Sequence, residues 1–141
     1  MDSLFLQNEI NANQFSILMA YDPSEESLIT FGGIPDFVDS VDKSISHRVA
    51  GDDHWSLKLN GLKVGDKAIM PKVKLALTDT GTSLIYFDSQ DFKAVMDELC
   101  KDFTCEEKDS EAGVFSIRDC NVADLPTVWV HLDLHEYQIA P

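Results

Sequence analysis

Lys74-Leu75-Ala76-Leu77-Thr78-Asp79-Thr80-Gly81-Thr82-Ser83-Leu84-Ile85-Tyr86-Phe87 carries an apolar run into Asp-Thr-Gly-Thr-Ser and a second apolar run out of it. That pattern predicts a strand, a tight turn bearing one carboxylate, and a second strand-like segment. A lone acid is unusual in such a turn. Gly81 admits positive φ and the close approach of another backbone or a ligand, and the hydroxyls of Thr80, Thr82 and Ser83 can hydrogen-bond the carboxylate or the turn. The expectation is an acid held in place rather than merely solvated.

Upstream of this stretch, the chain reads as strands punctuated by turns. Ile69 to Leu77 leads into the loop after a turn at Gly65-Asp66, and Asn60-Gly61 predicts a type I′ hairpin joining Leu57-Lys58-Leu59 to Leu62-Lys63-Val64. Ile45 to Val49 and Trp55 to Leu59 alternate apolar and polar as half-buried strands do, with a turn at Gly51-Asp52-Asp53 between them. Further upstream, Asp36 to Ser46 is irregular and acidic, and Gln14 to Tyr21 and Leu28 to Phe31 form a hairpin around the polar cluster Asp22 to Glu26. Downstream, Asp88 or Ser89 caps a helix whose residues Phe92, Val95, Met96, Leu99 and Phe103 fall on one face, a core-packing stripe. The fold class is mainly β: antiparallel strands and hairpins, with one main helix after the Asp-Thr-Gly loop.

Asp79-Thr80-Gly81-Thr82-Ser83 with its apolar flanks resembles the active-site loop of pepsin-like aspartic endopeptidases. Several other stretches are similar to that family's second, C-terminal lobe, in its order: Gln14 to Leu18, Ser27 to Ile34 with its Phe-Gly-Gly-Ile turn, His54 to Leu57, Leu62 to Gly65, and Leu125-Pro126-Thr127-Val128 running to Tyr137. The resemblance implies a pepsin-like acid protease lobe over residues 14–141, incomplete at its C-terminal end, with residues 1–13 as an inter-lobe link or short helix. It also implies a secreted, vacuolar or lysosomal enzyme whose signal, propeptide and first lobe lie upstream, so that this chain is a piece of a longer precursor. It makes Asp79 one of two catalytic aspartates, with Thr80 locking the loop, Gly81 holding it close, and Thr82 and Ser83 hydrogen-bonding the carboxylate or substrate. Thr78 stands where the family mostly has an aliphatic residue, and a buried hydroxyl there needs a partner.

The family's second lobe commonly carries a disulfide near Cys100, Cys105 and Cys120. Three cysteines define no complete framework. A Cys105–Cys120 bridge would staple a hairpin through Gly113 and Val114 to Ile117, leaving Cys100 as a free thiol on the helix, and it is the favoured pairing; Cys100–Cys120 stays open. There is no CxxC to suggest zinc.

Composition supports a packed domain. The 141 residues are 44% hydrophobic, enough for one domain with a core. Eleven basic against 25 acidic residues give a net charge of −14, which repels nucleic acid and anionic membranes. The charge reads as a solvated surface, and it also suits a protein adapted to acid, where fewer carboxylates are ionised. No run approaches the roughly 18 apolar residues of a membrane helix, and Met1 to Phe5 is not a signal peptide.

His131-Leu132-Asp133-Leu134-His135 offers metal-binding residue types, but Val128 to Leu134 alternates strictly, so the histidines and Asp133 fall with Trp129 on the polar face of a strand. Same-face neighbours there lie ~7 Å apart, too far to ligate one metal well. No metal and no cofactor are expected, and His47 and His54 have no partner motif.

An isolated aspartate has a pKa near ~4 and is too weak a base to activate water against a peptide bond. Two carboxylates about 3 Å apart that share one proton overcome this, one acting as base while the other polarises or protonates the substrate. The sequence carries one Asp-Thr-Gly. The favoured function is therefore an aspartic endopeptidase lobe that acts on polypeptides together with the N-terminal lobe of the same precursor, and that is inactive alone. The alternatives are a self-pairing homodimeric protease and a catalytically silent peptide- or protein-binding lobe.

Overall fold

A computed structural model describes residues 1–20, 22, 24–35, 45–52, 54–109 and 113–139. The chain divides into two units, Met1–Ser46 and His47–Pro141. The first holds helix α1 (Asp2–Leu6) and strands β1 (Phe15–Leu18) and β2 (Leu28–Phe31). β1 and β2 pair antiparallel from Phe15↔Phe31 to Leu18↔Leu28, the predicted hairpin. Its connection is shaped by Asp22, whose carboxylate accepts from Ser24 N–H at 2.8 Å and Ser24 Oγ at 2.7 Å. Of the predicted turn there, Pro23 lies outside the described residues, as do Tyr21, most of the acidic segment after Pro35 (residues 36–44), and Asp53.

The second unit is built on β3 (Ser56–Val64), β4 (Lys67–Ile69), β5 (Leu75–Leu77), β8 (Val128–Leu132) and β9 (His135–Ile139), with helix α2 (Ser89–Leu99) and the hairpin β6 (Thr104–Asp109) and β7 (Val114–Arg118). The five-stranded sheet runs β4-β3-β8-β9, with β5 also on β3. Leu59, Leu62, Val64, Ile69 and Val95 form the buried core, with Val128, Val130 and Leu132 packed against it. The antiparallel, mainly β architecture with one main helix is as expected.

The Asn60-Gly61 hairpin is corrected. β3 runs unbroken from Ser56 to Val64, and its pairing with β8 shifts register between Leu59 and Gly61. The extra residue is a β-bulge. On an unbroken two-residue alternation Leu59 and Leu62, three apart, would face opposite sides; here they are 6% and 4% exposed, both in the core. Tertiary pairing overrides the local turn signal because β3 gains neighbours on both edges that a three-residue hairpin arm would lack. The Gly65-Asp66 turn is present, with Gly65 at φ +54 linking β3 to β4.

Three further strand expectations are corrected. Residues 45–50 form no strand; Ala50 N–H reaches Ser56 O at 2.7 Å, and His47 anchors the segment through its side chain. Leu84 to Phe87 is irregular, with Leu84, Ile85 and Tyr86 54%, 60% and 72% exposed and no strand beside it among the described residues to take up its backbone. The strand through Val128 ends at Leu132, because Asp133, at φ 51, and Leu134 turn the chain into β9. Leu134, which falls on the apolar face of the Val128 to Leu134 alternation, is instead 90% exposed.

Helix α2 begins as expected: the Asp88 side chain accepts from Gln90 N–H at 3.0 Å. Val95 is buried and Leu99 packs on the core, while Phe92 meets Phe115 at 5.4 Å between centroids. Phe103 lies beyond the helix end.

Candidate active site

β5 brings Asp79 out of the sheet. Leu75, Ala76 and Leu77 pair with Lys58, Leu57 and Ser56 of β3. Thr78 continues the attachment: its N–H and its hydroxyl both donate to Trp55 O, at 3.0 and 2.8 Å. The hydroxyl expected to need a partner thus has one, and Thr78 is exposed rather than buried. The chain beyond it is free of the ladder and turns at Thr80-Gly81.

Within the turn, Asp79 Oδ1 accepts from Gly81 N–H at 2.8 Å. This two-residue closure fixes the carboxylate against its own loop. Gly81 is not at positive φ; its role is space, because a Cβ there would stand 3.1 Å from Asp79 Oδ1. Thr82 Oγ1 lies at 3.5 Å from both Leu84 N and Leu84 O, a long contact that shapes the exit from the turn, while Thr80 and Ser83 are exposed.

Asp79 opens on a cavity of about 560 Å³ walled by Leu59, Leu75, Leu77, Ile85, Tyr86 and Val130, with Thr82 and Ser83 at the loop. Its lining is apolar apart from a few polar groups, the character of a site that holds apolar side chains beside a reactive group. A second cavity, about 640 Å³, lies between Gly65, Phe103 and Pro126 under Glu98, Lys101, Asp102 and Asp124. It is larger, but none of the loop residues lines it, so the first is the candidate site.

The cysteine pairing is corrected. Cys100, at the C-terminal cap of α2, bonds Cys105 in β6, with the Cα atoms 5.7 Å apart, and Cys120 is the free thiol. Cys100 at the helix end and Cys105, the second residue of β6, are separated by only four residues, 101–104, which bring them within bonding reach. Cys105 faces Ile117 across the β6–β7 ladder, and Cys120 lies three residues beyond Ile117, past the β7 end at Arg118.

Two features went unread in the sequence. His47, which has no motif partner, hydrogen-bonds Asp133 Oδ2 at 2.9 Å and the Tyr137 hydroxyl, with His135 edge-on at 5.5 Å. The contacts span a turn that strict alternation concealed. Asp91 is buried in the first turn of α2, and its signal was present: Asp91, Val95 and Leu99 are spaced four apart, so an acid sits in the apolar stripe. Among the described residues no group of three or more His, Cys, Asp or Glu side chains is placed to hold a metal ion.

A mainly β domain thus presents an aspartate on a glycine-closed turn beside an apolar cleft. The family model for eukaryotic aspartyl proteases matches residues 1–141, and the chain belongs to that family. No curated protein matches it significantly. No described helix is long and apolar enough to cross a membrane.

Proposed function

We propose that this chain is the lobe of an aspartic endopeptidase that supplies one of two catalytic carboxylates, Asp79, for hydrolysis of peptide bonds by an activated water in acid. The observation that carries this reading is the exposed Asp79 carboxylate fixed by Gly81 N–H at the edge of the apolar cavity. A polypeptide lying along the cleft would set its apolar side chains in the cavity and its scissile carbonyl over the carboxylate. One carboxylate cannot both activate water and polarise or protonate the substrate, so a second must face Asp79, its proton shared between the two. The partner is the N-terminal lobe of the same precursor. In this reading Thr80 would lock the loop against that of the partner, and Thr82 and Ser83 would supply hydrogen bonds to the carboxylate or the substrate. An acidic compartment, secreted, vacuolar or lysosomal, suits the shared proton and the −14 charge of the chain.

The test is cleavage of an unfolded protein from acid to neutral pH, by this chain alone at several concentrations and by the chain mixed with the first lobe, with Asp79→Asn as control. Activity that needs the first lobe, peaks in acid and vanishes in Asp79→Asn is the expected result. Activity of the chain alone that climbs steeply with concentration selects self-pairing across a two-fold axis. Peptide binding by the paired lobes without cleavage would overturn the proposal in favour of a silent binding lobe.

A further inference from the structure

Residues 70–74 join β4 to β5 and so set the direction in which the Asp79 strand leaves the core. A connection outside the ladder must find partners for its backbone by other routes. Pro71 has no N–H and is fully buried. Its carbonyl accepts from Lys74 Nζ, and Lys74 O accepts from Leu59 N–H at 2.8 Å. The consecutive donors Lys72 N–H and Val73 N–H both go to Asp91, at 2.7 Å to Oδ1 and 3.2 Å to Oδ2.

Asp91 is 4% exposed, the one buried charged side chain among the described residues. It lies in the first turn of α2, where the helix field favours negative charge. It also borders the cavity on which Asp79 opens, yet both its oxygens are taken up by the backbone. Its chemistry is therefore directed at the chain rather than at a substrate.

We propose that Asp91 is a positioning residue for the reaction: by clamping the backbone at Lys72 and Val73 against α2, it fixes the path of β5 and with it the place of the Asp79 carboxylate. This rests on Asp79 being one of the two reacting carboxylates. An asparagine at 91 keeps one acceptor and turns an amide NH₂ toward the other N–H, so one arm of the clamp opens. A glutamate keeps both acceptors on a longer arm.

The experiment compares Asp91→Asn, Asp91→Glu and Val95→Ala, the last thinning the same helix's core contact without touching the clamp. Amide hydrogen exchange is followed at Lys72, Val73 and Leu75 to Gly81 against β8 and β9, and kcat and KM are measured with the first lobe present. In Asp91→Asn, exchange should rise on the order of ten-fold at Lys72, Val73 and the Asp79 strand but not in β8 and β9. The kcat should fall by about ten-fold or more, with KM within roughly two-fold, as expected when reacting groups are displaced and substrate binding is not. Asp91→Glu should recover part of both losses, and Val95→Ala should raise exchange evenly with little loss of kcat. Even exchange in Asp91→Asn, or a kcat no lower than that of Val95→Ala, overturns the proposal. If Asp91→Asn does not fold, Asp91→Glu carries the same comparison. If the wild-type lobes do not cleave, the reading of Asp79 has failed, and the exchange measurement still decides whether Asp91 holds the strand.

Discussion

His47 Nδ1 and Asp133 Oδ2, 86 positions apart in the chain, meet at 2.9 Å, and the other ring nitrogen of His47 bonds the Tyr137 hydroxyl. The imidazole ties residues 47–50, which have no strand of their own, to the β8–β9 turn. Asp133 serves twice, since its N–H also donates to Lys58 O at 3.0 Å and its carbonyl accepts from Asn60 Nδ2. Asp133→Asn tolerates the left-handed turn, so it removes the charge without straining the backbone. A double-mutant cycle with His47→Ala should give a coupling of about 1 kcal/mol, the scale of a part-buried charged hydrogen bond. Denaturation of the four variants measures it, and a coupling near zero would show that the charge at 133 adds nothing to the contact.

Gly81→Ala tests the tightness of the loop. The new Cβ would stand 3.1 Å from Asp79 Oδ1, and the carboxylate is the group able to move. Because Gly81 is exposed and not at positive φ, stability should change by less than about 1 kcal/mol. Cleavage with the first lobe should fall by ten-fold or more for an aspartate displaced by a few tenths of an ångström, on the order of the penalty for misplaced reacting groups. Parallel melting and activity measurements separate the two effects; equal activity would mean that the carboxylate position in this turn is not critical.

The Cys100–Cys105 bridge closes a short loop, which by loop-closure entropy contributes about 2 kcal/mol. Reductant should lower the denaturation midpoint accordingly, and Cys120→Ser should leave the oxidised midpoint unchanged. Alkylation of the folded, unreduced chain followed by peptide mapping should label Cys120 alone. Label on Cys100 would restore the pairing expected from the sequence.

Asp22 offers a pH test in the first unit. The Ser24 backbone N–H, and after it the Ser24 hydroxyl, hold its carboxyl below the ordinary carboxylate value. The sign follows from the depressed value. The turn's stabilisation is present above the ordinary carboxyl pKa and is lost as pH falls through the lower folded one. Carboxyl-carbon NMR should record the low titration, and Ser24→Ala should move it part of the way back up, because the backbone donor remains.

The Asp-Thr-Gly turn, the helix cap at Asp88 and the Gly65-Asp66 turn were legible because each is decided by a few adjacent residues. What escaped was set by partners distant in sequence. Asn60-Gly61 is a strong hairpin signal, yet β8 lies against Leu59 and Leu62 and converts it to a bulge. Val128 to Leu134 alternates perfectly, but Asp133 tolerates left-handed φ and ends the strand. Leu84 to Phe87 has strand composition and no neighbouring strand among the described residues. The hairpin through Gly113 and Val114 to Ile117 points to a Cys105–Cys120 staple, whereas the helix end places Cys100 against Cys105. Asp91 was legible in principle, since a charged residue in an apolar stripe is itself a signal.

The bulge at Asn60 also acts as a phase adjuster between two halves of one strand. Ser56, Leu57 and Lys58, before the bulge, carry β5 and through it the Asp79 loop, while Leu62 and Val64, beyond it, pair with β8 and face the core. Chain length at this point is therefore more critical than side-chain identity. Substituting Asn60 would cost its side-chain bond to the Asp133 carbonyl but keep the register, whereas deleting it would force either the core or the acid-bearing strand to turn its other face. One residue thus connects the protein's packing to the side from which Asp79 is presented.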